Sequence, residues 1–344
     1  MVQYNLVEHK PQPSSTLQTR PVLGVIDALS TGFEAVLRHP WLLLIPIALD
    51  VFLWVGPRLQ APNLYRALEP TLRQMATEMT TSDSRYAVQQ LSKAVEQFFT
   101  QFNLFAWLSV GLIGVPVING GIDATLKLVT GNPPLLWQID NFDGYLLALV
   151  LFTSVGLFIS ALFWTLLGDY VRGEPVQAAH WLKQSFDVWK RFLLMTIVIV
   201  SLVFLSIFPL SMAMFALGLF SPGLASLIPL LAMGVAAWLI LTCIFTPHGL
   251  VLHHMSLGRA VSTSAMIVRS NFTPTAGLVL IGMAVSIGMG LIWEGLAAES
   301  WLRLIAMAGN AIIGTGLIVA SLLFYQNRIV ILFESHHWPL PAGR

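Results

Sequence analysis

One carboxylate, Asp50, lies in a long apolar stretch and is the residue in it best suited to chemistry. No other Asp, Glu, Lys or Arg occurs between Arg38 and Arg58. At a rise of about 1.5 Å per residue, a helix would place Asp50 roughly 12–18 Å from either arginine. A charge at such a depth in a membrane costs at least about 2.5 kcal/mol, so these groups usually face inward and are paired. We therefore expect Asp50 to point into the protein, towards a donor on another span, on residues 104–119 or on a partner chain.

Two interpretations of Asp50 stay open at this point. In the functional one, the carboxylate is a proton or cation site, or it pairs with an arginine of a partner subunit. In the structural one, it bonds backbone groups freed by Pro46 or Pro57, or the side chain of Asn119 or Asn310, or it is protonated. Asn310 is the second polar candidate within the predicted spans.

The histidines offer one further ligand candidate. His248, His253 and His254 lie close together in the sequence, but their spacing matches no standard metal site. His248 is the candidate ligand for a haem or chlorophyll-type pigment, and the alternative is a histidine bonded to carbonyls and headgroups. The chain has no phosphate-binding loop, no HExxH and no GxSxG motif. The sequence thus predicts a non-enzymatic protein with no catalytic residue, no metal and no cofactor.

Composition indicates a membrane protein. The 344 residues are 56% hydrophobic and 10% charged, whereas soluble domains are about 25% charged. The net charge of +1 provides no basic surface for nucleic acid. The single cysteine, Cys243, excludes an internal disulfide. Residues 1–20 are polar and are expected to be disordered.

Long uncharged runs predict six transmembrane helices, since about 20 apolar residues cross the hydrocarbon. The predicted spans are 39–57, 144–168, 192–219, 224–250, 274–293 and 304–327. The shorter apolar segment 103–119 is predicted to be re-entrant or interfacial. Lys and Arg favour the cytoplasm, and six spans place residues 1–38, 169–191, 251–273 and 328–344 there together. We therefore predict a cell (inner) membrane protein with both termini cytoplasmic.

Three stretches that precede spans are amphipathic and contain arginine: 22–45, 175–197 and 256–280. Such helices lie in the membrane interface with the apolar side down, and basic residues near their ends reach lipid headgroups. This predicts bound phospholipid and four headgroup contacts, namely Arg38, Lys190, Arg191 and Arg269. The fold class is thus an all-α membrane protein of three hairpins, each preceded by a cytoplasmic interfacial helix.

The three stretches also suggest a repeat. The separation of Arg38 and Arg191 exceeds that of Arg191 and Arg269 by nearly the length of residues 58–142. The first copy would then carry an extracytoplasmic insertion. The alternative is that any loop before a span tends to be amphipathic and basic.

The pattern resembles bacterial multi-pass membrane proteins related to the membrane domain of some glycerophosphodiester phosphodiesterases. The motif resembles ALxxSxxLxRxNF, and its carriers are Ala260, Ser264, Val268, Arg269, Asn271 and Phe272, and more loosely Gln184, Ser185, Phe186, Trp189, Lys190 and Arg191. The resemblance covers residues 22–56 and 145–327. The soluble phosphodiesterase domain has no counterpart here, so the resemblance implies a fold and no activity.

The predicted organisation has five parts. They are the tail 1–20, an interfacial helix with the first span (21–56), a helical insertion (57–142), a five-span bundle (143–327) and a cytoplasmic tail (328–344). Small residues in the last two spans are spaced for close helix packing, on each other or on another subunit. The packing candidates are Gly277, Gly282, Ser286, Gly290 and Gly314.

Two functional interpretations follow from the sequence. The first is a scaffold or accessory subunit that binds membrane lipids and other membrane subunits, or itself. The second is a transporter or lipid-handling protein that uses Asp50. Neither requires nucleic acid.

Overall fold

The computed structural model describes residues 22–79, 81–109, 113–118, 135–296 and 301–335, and these residues are mostly helical. The helices are α1 (Val25–Arg38), α2 (Leu44–Val55), α3 (Pro62–Glu78), α4 (Ser82–Gln101), α5 (Phe142–Arg172), α6 (Ala178–Gly218), α7 (Pro222–Ala225), α8 (Leu227–Cys243), α9 (Thr246–Leu252), α10 (Leu257–Ser270), α11 (Phe272–Glu294) and α12 (Leu302–Ser335). Two 3-10 helices (Pro40–Leu43 and Leu104–Ser109) and a parallel pair of short strands, β1 (Arg58–Gln60) and β2 (Leu136–Gln138), complete the described elements. The predicted all-α class is confirmed.

Five stretches in the described residues are helical, long and apolar enough to cross a membrane. They are α5, α6, α11, most of α12, and Gly223–Leu252, which contains α8 and α9. A sixth crossing is obtained only when the bent pair Val25–Arg38 and Pro40–Val55 is counted as one. The prediction of a membrane-embedded protein is confirmed, with five or up to six helical stretches that are able to cross a membrane.

The predicted first span, 39–57, does not form one straight helix. The chain bends by 93° between α1 and the helical stretch that follows. Pro40 opens the 3-10 turn, and because a residue before proline is disfavoured in the helical region, α1 ends at Arg38. The 12 residues of α2 extend only about 18 Å, which is less than the roughly 30 Å of hydrocarbon.

The second predicted interfacial helix, 175–197, is not a separate element. It is the beginning of α6, which continues without interruption for 41 residues, or about 61 Å. No glycine or proline occurs between Ala178 and Phe208 to stop the helix. In the third stretch, by contrast, α10 and α11 are separated at Asn271, whose φ of −132° is not helical. The three copies therefore differ in local structure.

Burial divides the long helices into two parts. Buried side chains concentrate in what we call the packed body: α1, α9, α10, α5 from Gly156 onward, α6 up to Met195 and α12 from Ala306 onward. Beyond Met195, α6 has no buried residue, and α8 has none. We call residues 196–243 the apolar hairpin.

The packed body is built around close contact of α1 with α12. A Cβ added to Gly32 would lie 2.6 Å from the carbonyl oxygen of Gly316 and 2.7 Å from the nitrogen of Ala320. At the far end, the Leu23 N–H donates to Asn327 Oδ1 at 3.0 Å, and the Leu23 carbonyl accepts from Arg328 Nη2 at 3.0 Å. The two helices are therefore antiparallel, and α1 packs on the bundle through its small residues.

The remaining predicted parts are placed as follows. In the insertion, α3 and α4 pack on each other, and among their described side chains only that of Leu64 is buried. The described part of 103–119 holds a 3-10 helix and irregular chain. The bundle and the predicted tail 328–344 are continuous at residue 328, because α12 runs to Ser335. The tail 1–20 and Asn119 lie outside the described residues.

Candidate functional site

Asp50 fastens an irregular segment to the helices. Its side chain is 1% exposed, and its two carboxylate oxygens accept the backbone N–H of Ile118 at 3.2 and 3.1 Å. The donor belongs to residues 104–119, so the expected inward orientation and the expected donor are both found. Asn310 is half-buried on α12 and makes no hydrogen bond to Asp50 within the described part of the chain.

Three further contacts hold this segment, residues 103–118, which we call the inserted segment. Trp164 Nε1 donates to the carbonyl of Ile113 at 3.0 Å. Gly314 leaves room for Pro116, whose Cγ would lie 2.8 Å from an added Cβ. At Gly156 an added Cβ would lie 2.5 Å from the Trp107 carbonyl oxygen. Backbone without regular helical hydrogen bonds would need such protein partners inside a membrane, and α2, α5 and α12 supply them.

His248 lies in the centre of the packed body, at 4% exposure. Its Nε2 is 2.8 Å from Ser321 Oγ. Three aromatic rings surround it, with centroids 5.3 to 5.6 Å away: Trp164, Phe245 and Tyr325. Because Trp164 also bonds the inserted segment, this side chain connects the Asp50 region to the His248 region.

Two arginines secure the chain where α9 ends. Arg172 Nη1 donates to the carbonyls of Val251 and Leu252 at 3.1 and 3.4 Å, and its guanidinium also pairs with Asp169. Arg191 Nη1 donates to the Met255 carbonyl at 2.6 Å. Positive groups at a helix C-terminus stabilise its free carbonyls, so both arginines fix the α9–α10 connection.

His253 and His254 lie in this connection. Burial lowers the pKa of His253 to about 4, and the positive charges of Arg172 and His254 act in the same direction. Burial also lowers the pKa of His254, with smaller contributions from Arg172 and Arg191. Both imidazoles are therefore neutral at pH 7. His254 has a φ of +48°, in the left-handed region that is rare for residues other than glycine.

The four arginines and lysines predicted to contact headgroups fall into two groups. Arg38 and Lys190 are exposed and pair with Glu34 at 2.5 Å and Asp187 at 3.2 Å. Arg269 is exposed near the end of α10. Arg191 differs from the prediction, because its guanidinium is directed inward to the Met255 carbonyl.

Of the residues predicted to allow close helix packing, one packs closely and the others do not. Gly314 packs closely, but on Pro116 of the inserted segment. On α11, nothing lies within 4 Å of a Cβ added to Gly277 or Gly290, Gly282 reaches only Leu317 at 4.0 Å, and Ser286 is exposed. The close contacts of α12 are therefore with α1, with the inserted segment and, through Gly309, with the Trp293 ring of α11, whereas these small residues of α11 are left open.

The described residues contain no group of three or more His, Cys, Asp or Glu side chains that is able to hold a metal ion. At His248, Nε2 already contacts Ser321 Oγ at 2.8 Å, and the rings of Trp164, Phe245 and Tyr325 pack around the imidazole. The pigment-ligand role of His248 stays a prediction.

Sequence reasoning missed three residues that matter in the structure. Trp164 and Tyr325 are ordinary aromatic residues of apolar runs, and nothing local distinguishes them. Arg172 had a signal: with Asp169 at i−3 it forms a charged pair at the end of a span, before the left-handed Gly173. That spacing is typical of a helix C-terminus.

Comparison of the chain with protein-family models, curated proteins and solved structures finds no match. The resemblance to phosphodiesterase membrane domains stays a prediction, and function has to be argued from the geometry.

Proposed function

We propose that this protein is a non-enzymatic membrane scaffold, an accessory subunit whose packed body holds the apolar hairpin out for another membrane protein to bind. The observation that supports the proposal is that the hairpin is hardly buried by the rest of the chain. The most hydrophobic window of Gly223–Leu252 has 0% of its residues buried within the chain. Almost all side chains of the hairpin thus lie outside the core of the packed body.

Several polar side chains of the hairpin are satisfied within their own helices. Ser206, Ser211 and Thr242 donate to carbonyls of their own helices at 2.7 to 2.8 Å. These side chains therefore need no water, which favours stability of the hairpin in lipid. Its surface is apolar, with Phe215 71% exposed and Leu231 64% exposed.

Small residues on this surface support a helical partner. Nothing lies within 4 Å of a Cβ added to Gly234, in the middle of α8, and Ala236 and Ala237 beside it are exposed. Small residues in membrane helices allow a second helix to approach closely. Near the tip, an open notch of about 400 Å³ is lined by Ser211, Met214, Phe215, Gly218, Ala225 and Ser226.

Orientation follows from the basic residues. We propose that the packed body, with Arg172 and Arg191, faces the cytoplasm of a cell (inner) membrane and that both termini lie on that side. Phospholipid would contact the exposed Arg38, Lys190 and Arg269.

A second candidate, transport or lipid handling through Asp50, is supported by the inserted segment. Irregular backbone at membrane depth is typical of transporters. The scaffold is favoured because the Asp50 carboxylate is bonded to backbone at Ile118 and Pro116 is packed against Gly314. These contacts describe a rigid element rather than a ligand site.

Photo-crosslinking in native membranes tests the scaffold. A photoreactive residue replaces Phe215 or Leu231, and Leu147 on α5, which is 70% exposed, is the matched control. We expect both hairpin positions to capture the same protein, another subunit or a second copy, while position 147 captures only lipid. Lipid adducts alone at all three positions, together with a lone monomer in native mass spectrometry, would refute the proposal.

A further inference from the structure

The proton on His248 can be located from the hydrogen bonds of Ser321. The Ser321 hydroxyl has one hydrogen, and it donates this hydrogen to the Ile318 carbonyl at 2.7 Å. In its 2.8 Å contact with His248 Nε2, Ser321 Oγ is therefore the acceptor. Neutral His248 then carries its proton on Nε2, and Nδ1 presents a lone pair.

That lone pair has no partner among the described residues, although Nδ1 is fully buried. Two other buried polar atoms nearby share this condition: the hydroxyl of Tyr325 and Nε2 of His253. The Tyr325 ring centroid lies 5.6 Å from that of His248 and 6.0 Å from that of His253. Three unsatisfied groups thus belong to neighbouring rings on α9, α12 and the α9–α10 connection.

Gly249 positions the tyrosine hydroxyl. A Cβ at this glycine would lie 2.9 Å from Tyr325 Oη, so the hydroxyl lies against α9 one residue after His248. The Gly249 carbonyl already accepts from the backbone N–H groups of His253 and Met255 at 3.4 and 3.3 Å. The hydroxyl therefore has a donor hydrogen that the local backbone does not use.

We infer that His248, Tyr325 and His253 bind an ordered water molecule inside the packed body. The Tyr325 hydroxyl donates to the water oxygen, and the water donates one hydrogen to His248 Nδ1 and the other to His253 Nε2. Buried waters typically make about three such bonds to groups that are otherwise unsatisfied. The water joins α12 to both ends of the α9–α10 connection, independently of what the apolar hairpin binds.

Tyr325→Phe tests this site, because a bound water and a dry cavity predict different shifts of the unfolding midpoint. If water is bound, the variant loses a buried hydrogen bond and its unfolding midpoint falls by about 2 °C. If the hydroxyl is dry, removing an unsatisfied polar group leaves the midpoint unchanged or raises it, and the inference is overturned. Tyr170→Phe is the matched control, since Tyr170 is half-buried and its hydroxyl is not among the buried unsatisfied atoms.

A double-mutant cycle with His248→Gln adds a second criterion. The glutamine amide can still donate to Ser321 but lacks the Nδ1 acceptor, so the water loses one partner. We expect the midpoint shift of Tyr325→Phe to be smaller in this background. Nitrogen NMR of labelled histidine should also show the Nδ1 resonance of His248 moving towards a free imine nitrogen in Tyr325→Phe. Additive midpoints and an unmoved resonance would contradict the water bridge.

Discussion

The same substitution, glycine to alanine, should have different effects where two helices pack closely and where a helix surface is open. Gly32→Ala adds a Cβ where α1 meets α12, against the Gly316 carbonyl oxygen at 2.6 Å and the Ala320 nitrogen at 2.7 Å. These are backbone atoms, so no side chain can rotate away. Gly277→Ala adds the same group to α11, where nothing lies within 4 Å.

The two substitutions should shift stability in opposite directions. Alanine is favoured over glycine within a helix by about 1 kcal/mol at either position. At Gly32 this gain is opposed by overpacking, taken at about 3 kcal/mol because backbone must move, which leaves a net loss of about 2 kcal/mol. At an unfolding entropy of about 2.1 cal/mol/K per residue, 1 kcal/mol corresponds to about 1.4 °C for this chain. We expect Gly32→Ala to lower the midpoint by about 3 °C and Gly277→Ala to raise it by about 1 °C.

Tryptophan fluorescence during heating in one detergent measures both midpoints, since the chain contains 11 tryptophans. Gly32→Leu should be worse than Gly32→Ala. The reasoning would be refuted if Gly32→Ala were stabilised as much as Gly277→Ala, because α1 would then not rest on α12.

Three further predictions concern Asp50, pH and orientation. Asp50→Leu should lower the free energy of unfolding by about 1–3 kcal/mol, because it leaves the Ile118 N–H unsatisfied. Asp50→Asn keeps an acceptor and should lower it less. Greater stability of the leucine form would show that Asp50 faces lipid. Since the pKa of His253 is about 4 in the fold and about 6.5 when unfolded, protonation favours unfolding. The free energy of unfolding should therefore be highest above pH 6.5 and fall by at most about 3 kcal/mol as the pH drops to about 4. Thermal melts at a series of pH values measure this loss in the protein and in His253→Gln. An equal loss in the variant would contradict the role of His253. In a Cys243→Ala background, an impermeant thiol reagent should label Ser82→Cys from outside intact cells and Lys183→Cys only after lysis; outside labelling at 183 would reverse the proposed orientation.

Features governed by local energetics could be predicted from the sequence. The uncharged runs gave α5, α6, α11 and α12, because hydropathy alone decides whether a helix can enter lipid. The inward orientation of Asp50 followed from the cost of a charge in hydrocarbon. Its donor was predicted only as a segment, since the register that brings Ile118 to α2 is set by contacts far apart in the chain.

Features that depend on long-range contacts could not be predicted. The break between α8 and α9 is held by Ser264 of α10, which accepts from the Phe245 N–H at 3.1 Å and donates to the Thr242 carbonyl at 2.7 Å. The glycine spacing of α11 indicated close packing, but spacing does not say which surface a helix faces. The His248–Tyr325 pair joins residues of two distant runs, and neither run identifies the other.

Because α6 is long and is held near its beginning, a small tilt there moves its far end by a large distance. Between Ala178 and Pro209 the helix is unbroken, and its first part is held to α5 by two indole donors, Trp181 to the Leu162 carbonyl at 3.2 Å and Trp189 to the Ser154 carbonyl at 2.9 Å. The part of α6 beyond Trp189, about 44 Å long, moves its free end by roughly 8 Å for every 10° of tilt. Proline within a helix removes a backbone hydrogen bond and allows bending, so Pro209 is where the arm can flex. Small rotations at the two tryptophans are therefore magnified at the opposite face of the bilayer.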